Sequence, residues 1–169
     1  NLFESFIPIL QEEQLGTGHA ISILLESSEY KNDENEYLVV IPGDVPLIKK
    51  EDLQKLIDDV VQEKAAIGII TAFVDNPYGY GRIVKNNDEF EKIVEETDAS
   101  ESEKQINEIN SGIYCIEKTF LEKNIGSLET TNIQKEFYLT DLINIAFQNK
   151  LGRVIVQVNE DSIQGVNSM

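Results

Sequence analysis

The stretch Gln11–Ala20, QEEQLGTGHA, decides how this chain is read. An apolar strand-like run, Phe6–Leu10, stands before it, and a helix-like run, Ile21–Leu25, stands after it. A strand that hands over to a helix through two glycines bracketing Thr17 is the joint of an α/β unit. Bare backbone N–H groups at such a turn approach a ligand where a side chain would block the way. Gln11 adds a side-chain amide just upstream. Gly, Thr and Gln together can hydrogen-bond the edge of a flat heterocycle. For a lone Gly-x-Gly, an ordinary strand-to-helix turn is the competing reading.

Outward from that joint the alternation continues. Tyr37–Ile41, YLVVI, is a continuous apolar run of the kind found in a strand buried on both faces. Leu53, Leu56, Ile57 and Val60 recur at helical spacing and predict a helix from about Glu51 to Val61. Ala65–Val74 reads as the next strand. Pro77–Gly81 is a tight loop. Arg82–Lys85 and Phe90–Glu95 are short strands around a turn at Asn86–Asp88. Thr97–Gln105 is a solvated charged loop, and Ile106–Ile116 a long strand. Thr140 caps a helix that runs to about Asn149 and buries Leu142, Ile143, Ala146 and Phe147. Gly152 takes the place of a glycine stop, and Val154–Val158 is the last strand. The pattern is α/β, with a mostly parallel (mixed) sheet flanked by helices.

The chain has 169 residues, a one-domain length, with 41% hydrophobic and 27% charged residues, as in a soluble globular domain. No apolar run approaches the ~20 residues of a membrane span, and no signal peptide opens the sequence. One cysteine, Cys115, allows no intrachain disulfide. It sits within apolar Ile113–Ile116 and reads as a small core residue, which fits a reducing, cytoplasmic setting. A net charge of −17 argues against nucleic acid and anionic membranes as partners, since both require a basic surface. It also leaves few cations for holding phosphates. One histidine, His19, and one cysteine exclude a catalytic triad or a zinc site, and His19 reads as a packing or capping residue. No G-x-G-x-x-G follows the first strand, which excludes a dehydrogenase-type dinucleotide site.

Two further segments carry chemistry. In IPGDVP, Ile41–Pro46, Asp44 follows the best strand, and ligands of open α/β sheets bind beyond the carboxyl ends of the strands. A hard carboxylate there suits magnesium, which binds through one or two protein oxygens plus substrate phosphates. A turn aspartate that caps its own backbone is the other reading. In EINSGIY, Glu108–Tyr114, Asn110 lies in an otherwise apolar strand, and a buried amide must find partners in the protein or in a ligand.

Taken in order, QLGTGHA, PGDVP, PYGYGRIV, IVEETDA, EINSGIY, NIQKEFYLTD and GVN resemble segments of bacterial UDP-N-acetylglucosamine pyrophosphorylases. These form the uridylyltransferase half of a bifunctional enzyme that also acetylates glucosamine 1-phosphate. The resemblance runs from Phe6 to Asn167. It implies a Rossmann-like, GT-A-like nucleotidyltransferase fold that transfers uridylate from UTP to N-acetylglucosamine 1-phosphate, with Mg2+ as cofactor. It assigns Gln11, Gly16 and Thr17 to the uracil base. Gly43 and Asp44 become the nucleotide- and metal-binding pair. Gly81, Glu95, Asn110, Tyr138 and Thr140 fall to the sugar. Asn167 becomes the second magnesium ligand, so Asp44 and Asn167 hold the catalytic metal. Pro42 and Lys135 depart from the family pattern.

In the family a βαβ segment with a Gly-rich, Arg- and Lys-bearing loop precedes these motifs, and nothing in Asn1–Ile9 resembles it. The expectation is a partial domain, inactive by itself, whose shortage of cations that loop would meet. Hexapeptide repeats of an acetylating β-helix are absent as well. Another sugar-1-phosphate nucleotidyltransferase and a non-catalytic nucleotide-sugar-binding domain are the alternatives. The resemblance leaves room for a homo-oligomer of the full-length protein.

Overall fold

The computed structural model describes residues 7–45 and 47–163. Helix α1 (Thr17–Glu26) and a one-turn helix α2 (Ser28–Lys31) lead to strand β1 (Tyr37–Val40). Helix α3 (Lys50–Glu63) and strand β2 (Ile67–Phe73) follow, then a hairpin of β3 (Arg82–Asn86) and β4 (Glu89–Val94). Long strand β5 (Glu108–Glu117), helices α4 (Lys118–Asn124) and α5 (Asp141–Gln148), and β6 (Arg153–Val158) complete the order.

The six strands form one sheet in the order β4-β3-β5-β2-β6, with β1 sharing one edge of β5 with β3. The sheet is mixed, as expected, but the balance differs from the alternation's forecast. Among the described pairs β2·β6 is parallel, and every pairing to β5 is antiparallel. β4 turns back along β3, and the segment 95–107 then returns the chain across the sheet, so β5 runs in the direction of β4 and against β1, β2 and β3.

Period-2 alternation splits the core between the two faces. Ile67 and Ile69 of β2 and Tyr114 and Ile116 of β5 join Ile21, Phe120, Leu139, Leu142 and Ile143 on the face covered by α1, α4 and α5. Ile70, Ala72, Ile113 and Cys115 join Leu56 and Val60 of α3 on the other. Gly68 makes the α3 packing possible, since a Cβ there would fall 2.3 Å from Val60 Cγ2.

Four local expectations change. Residues 7–10 form no strand, and Ile7, Ile9 and Leu10 are exposed, because no neighbouring strand of the described residues pairs with them. β1 is half-exposed along its length rather than buried on both faces, having β5 as its one partner among the described strands. Thr140 precedes α5 but makes no side-chain cap, because its hydroxyl points to Glu95 instead. The left-handed residue after α5 is Lys150, at φ 55°, not Gly152. Gly152 is needed for close approach, since a Cβ there would sit 3.0 Å from Ala65 Cα. Cys115 is a free, fully buried core residue as expected, and burial pushes its thiol up to about 11.

Candidate active site

Strand β5 carries an irregularity that makes the site. Opposite it, Ile69 pairs with Tyr114 and Thr71 with Asn110, so β5 uses two more residues than β2 over the same span. Gly112 takes φ +79° in this bulge, and a Cβ on it would meet Pro42 Cγ at 2.7 Å. Ser111 holds the bulge by donating to the Ile70 carbonyl at 2.8 Å and accepting from Ile113 N at 3.2 Å. On the opposite edge the end of β1 and the start of β3 part around the same point. A cleft of about 530 Å³ opens there, within the usual range for ligand sites.

Thr17, Asp44, Gly81, Glu95, Asn110 and Thr140 all line it, drawn from six separate segments of the chain. On the β3–β4 side, Asn110 is 9% exposed. Its amide donates to Tyr114 Oη at 2.7 Å and accepts from Gly112 N at 3.0 Å, so its first partners are in the protein. Asn110 N also donates to the Gly81 carbonyl at 2.9 Å. Glycine at 81 is forced by its neighbours, because a Cβ would meet Ile93 Cγ2 at 2.8 Å and Glu95 Oε2 at 3.2 Å. Thr140 Oγ1 donates to Glu95 Oε1 at 3.1 Å. Burial holds the Glu95 carboxyl above its ordinary range. The Thr140 hydrogen bond opposes this, Asp141 and Asp98 reinforce it, and Arg82 opposes it.

On the α1–β1 side the groups are more open. Gly16, at φ +104°, starts α1 and is packed tightly, since a Cβ would meet the Phe137 carbonyl at 2.7 Å. Gly18 meets the same segment, donating its N–H to Phe137 O at 2.7 Å. The two glycines of QLGTGHA therefore have a packing reason of their own. Thr17 is exposed in the cleft and its hydroxyl accepts from Leu139 N at 3.0 Å. Gln11 does not line the cleft. Its amide lies 3.3 Å from the Gly16 carbonyl and 3.0 Å from His19 Nδ1, which gives His19 the structural part expected of it.

Gly43 and Asp44 form an exposed turn past the end of β1. A Cβ at Gly43 would meet nothing within 4 Å, so packing does not require glycine there. Asp44 projects at the cleft and its carboxylate has no hydrogen-bond partner or ion pair among the described residues. A lone unengaged carboxylate beside open space fits a magnesium that draws its other ligands from phosphates. No group of three or more His, Cys, Asp or Glu side chains gathers as a metal cage among the described residues. Asn167 lies outside the described residues. Ile163, four positions before it in the sequence, lines the cleft. Tyr138 does not line this cleft. It borders a neighbouring groove on the other side of Glu95, where its hydroxyl bonds Asp98 and Gln134.

Sequence reasoning missed Arg82 and Glu96. Arg82 is 1% exposed and its guanidinium pairs with Glu96 at 2.5 Å beneath the loop 77–81. An arginine opening a strand whose neighbours are apolar was the available signal. It also missed the bulge, which a glycine inside a long strand pattern could have announced.

The mixed sheet with a cleft beyond the end of β1 is a Rossmann-like nucleotidyltransferase fold. It superposes on a protein described as a glucose-1-phosphate thymidylyltransferase from Bacillus anthracis, at TM-score 0.64 and 20% identity, covering 87% of this chain and 55% of that one. A UDP-glucose pyrophosphorylase solved with UDP-glucose matches at TM-score 0.65 and 18% identity, covering 84% and 54%. The chain belongs to the nucleotidyl transferase family, whose model matches residues 3–160. It is 44% identical over 160 residues to the bifunctional protein GlmU of Trichlorobacter lovleyi and to that of Carboxydothermus hydrogenoformans. It is 42% identical over 163 residues to GlmU of Francisella tularensis. The chain spans about a third of the length of these curated relatives, and 94% of it is covered. The resemblance read from the motifs holds against them. No helix of the described residues is long and apolar enough to cross a membrane.

Proposed function

We propose that this chain forms the nucleotide- and sugar-binding core of a cytoplasmic uridylyltransferase. The reaction joins UTP and N-acetylglucosamine 1-phosphate, giving UDP-N-acetylglucosamine and pyrophosphate. The observation that carries the reading is the convergence of Thr17, Asp44, Gly81, Glu95, Asn110 and Thr140 on one cleft, together with 44% identity to GlmU proteins over 160 residues.

The sugar phosphate oxygen, already ionised at neutral pH, attacks the α-phosphorus in line, and the protein's task is positioning. Gln11, Gly16 and Thr17 read the base, with Gln11 turning from His19 toward the ligand. Glu95 and Asn110 accept from and donate to the hexose, with Thr140 orienting Glu95 and Tyr138 bracing Asp98 behind it. Gly81 lets the ligand reach the carboxylate. Gly43 leaves the approach to Asp44 open. Asp44, joined by Asn167, would hold Mg2+, which when bound neutralises charge developing on the phosphates.

The test is pyrophosphate release by the full-length protein with UTP, magnesium and N-acetylglucosamine 1-phosphate. Faster turnover of a thymidine or guanosine triphosphate with another sugar phosphate would replace this substrate pair.

A further inference from the structure

Among the described residues Arg82 is the largest fully buried side chain, and the roles above leave it unused. One terminal nitrogen donates to the Tyr80 carbonyl, and the other to Glu96 Oε2 at 2.5 Å. The same Glu96 oxygen accepts from Gly79 N at 3.3 Å. One guanidinium thus grips two successive points of the loop whose residues Gly79, Tyr80 and Gly81 line the cleft. Gly81 in turn accepts from Asn110 N through its carbonyl, and a Cβ on it would come within 3.2 Å of Glu95 Oε2.

Stability does not explain this arrangement. Arg82 Nε is buried with no partner among the described residues, and leaving a buried donor unpaired is costly. Replacing a buried ion pair with apolar residues of similar volume is often neutral or stabilising. We propose that Arg82 is a positioning residue for the hexose side of the cleft, fixing the Gly79–Gly81 loop beside Glu95 and Asn110. The proposal rests on the uridylyltransferase reading for the identity of the sugar, and on geometry alone for the positioning.

The charged groups facing Glu95 are Arg82 of β3, Asp98 beyond β4 and Asp141 of α5, with the phenols of Tyr114 and Tyr138 beside it. Lys92 and Glu103, in the groove behind, are paired to each other at 3.3 Å. Arg82 is the cation that acts against burial and the two aspartates.

The experiment compares Arg82→Met, Arg82→Lys and Glu96→Gln in the full-length protein. Without ligand, ¹³C carboxyl titration of Glu95 and amide exchange at Gly79 and Gly81 are followed by NMR. Arg82→Met should move the Glu95 titration upward and speed exchange at both glycines. Arg82→Lys should restore the titration but not the protection, because an ammonium lacks the planar two-point grip. In kinetics, Arg82→Met should raise KM for N-acetylglucosamine 1-phosphate about tenfold or more, and further as pH falls, with KM for UTP unchanged. Unchanged exchange at Gly79 and Gly81 while only the melting temperature drops would overturn the proposal, as would equal losses for both substrates. If the wild-type protein prefers another sugar phosphate, the functional reading falls, and ligand-free amide exchange at Gly79 and Gly81 still decides the role of Arg82. If Arg82→Met does not fold, Glu96→Gln carries the loop expectation, with protection lost at Gly79 first and the sugar phosphate KM raised.

Discussion

On the β3–β4 side of the cleft, Arg82, Glu95, Glu96, Asn110 and Thr140 are tied to one another or to backbone, and each is buried or half-buried. On the α1–β1 side, Thr17, Gly43 and Asp44 are exposed, and the Asp44 carboxylate touches no donor among the described residues. The two sides meet at the β5 bulge, where Gly112 lies against Pro42. The difference is one of preorganisation. On the proposed reading the hexose ring of the sugar phosphate offers hydroxyls and an amide, so its site must hold fixed donors and acceptors in advance to gain selectivity. A triphosphate with its metal brings charge of its own, and a bare carboxylate beside open space is enough to meet it. The buried side therefore should govern the choice of sugar, and the open side the rate of chemistry.

The largest effect expected is at Asp44. In the full-length enzyme Asp44→Asn should lower kcat by ~10²–10³, the scale of losing one charge-stabilising group, with little change in melting temperature. A large loss of stability instead would mean that the turn is structural, and would erase the contrast between the sides. Next, Glu95→Ala should raise KM for the sugar phosphate roughly tenfold or more and leave UTP use nearly intact. Impaired UTP use with an unchanged sugar KM would invert the assignment of the two sides.

Gln11→Ala should act in the opposite sense and more weakly. A neutral hydrogen bond contributes about 1 kcal/mol, so about fivefold in apparent affinity for UTP is expected, with a narrowed preference among pyrimidine triphosphates. Steady-state kinetics with each nucleotide varied would show it. The smallest effect sharpens the idea of a preorganised, costly sugar side. Because burial raises the folded-state affinity of Glu95 for its proton, the stability linked to this group is full at acid pH and declines as pH rises through its folded-state titration. Glu95→Gln should therefore melt slightly higher than wild type at neutral pH. The gap should close in acid, where both proteins carry a neutral side chain. A variant less stable than wild type at pH 7 would show that the charge stabilises the fold.

The elements that local pattern can specify were legible from the chain itself. The spacing of Leu56 and Val60 predicted α3, the Asn86–Asp88 turn predicted the β3–β4 hairpin, and the segments Ala65–Val74 and Ile106–Ile116 predicted β2 and β5. Candidate site residues were named through resemblance to a family, and the fold gathers six of them at one cleft, while Gln11 and Tyr138 lie outside it. Tertiary structure alone decided the rest. The direction of β5 depends on which strands it finds as neighbours, a choice no period-2 pattern encodes. Thr140 is drawn from its helix cap because Glu95 lies within reach across 45 residues of sequence. Gly16, Gly81 and Gly152 are needed because Phe137, Glu95 and Ala65 come close in space, not in sequence. Arg82 is buried because Glu96 and the Tyr80 carbonyl meet it there. Periodicity and turn chemistry are properties of neighbours along the chain. Close approach, buried charge and the shape of a cleft belong to neighbours across it, and only the folded molecule brings those together.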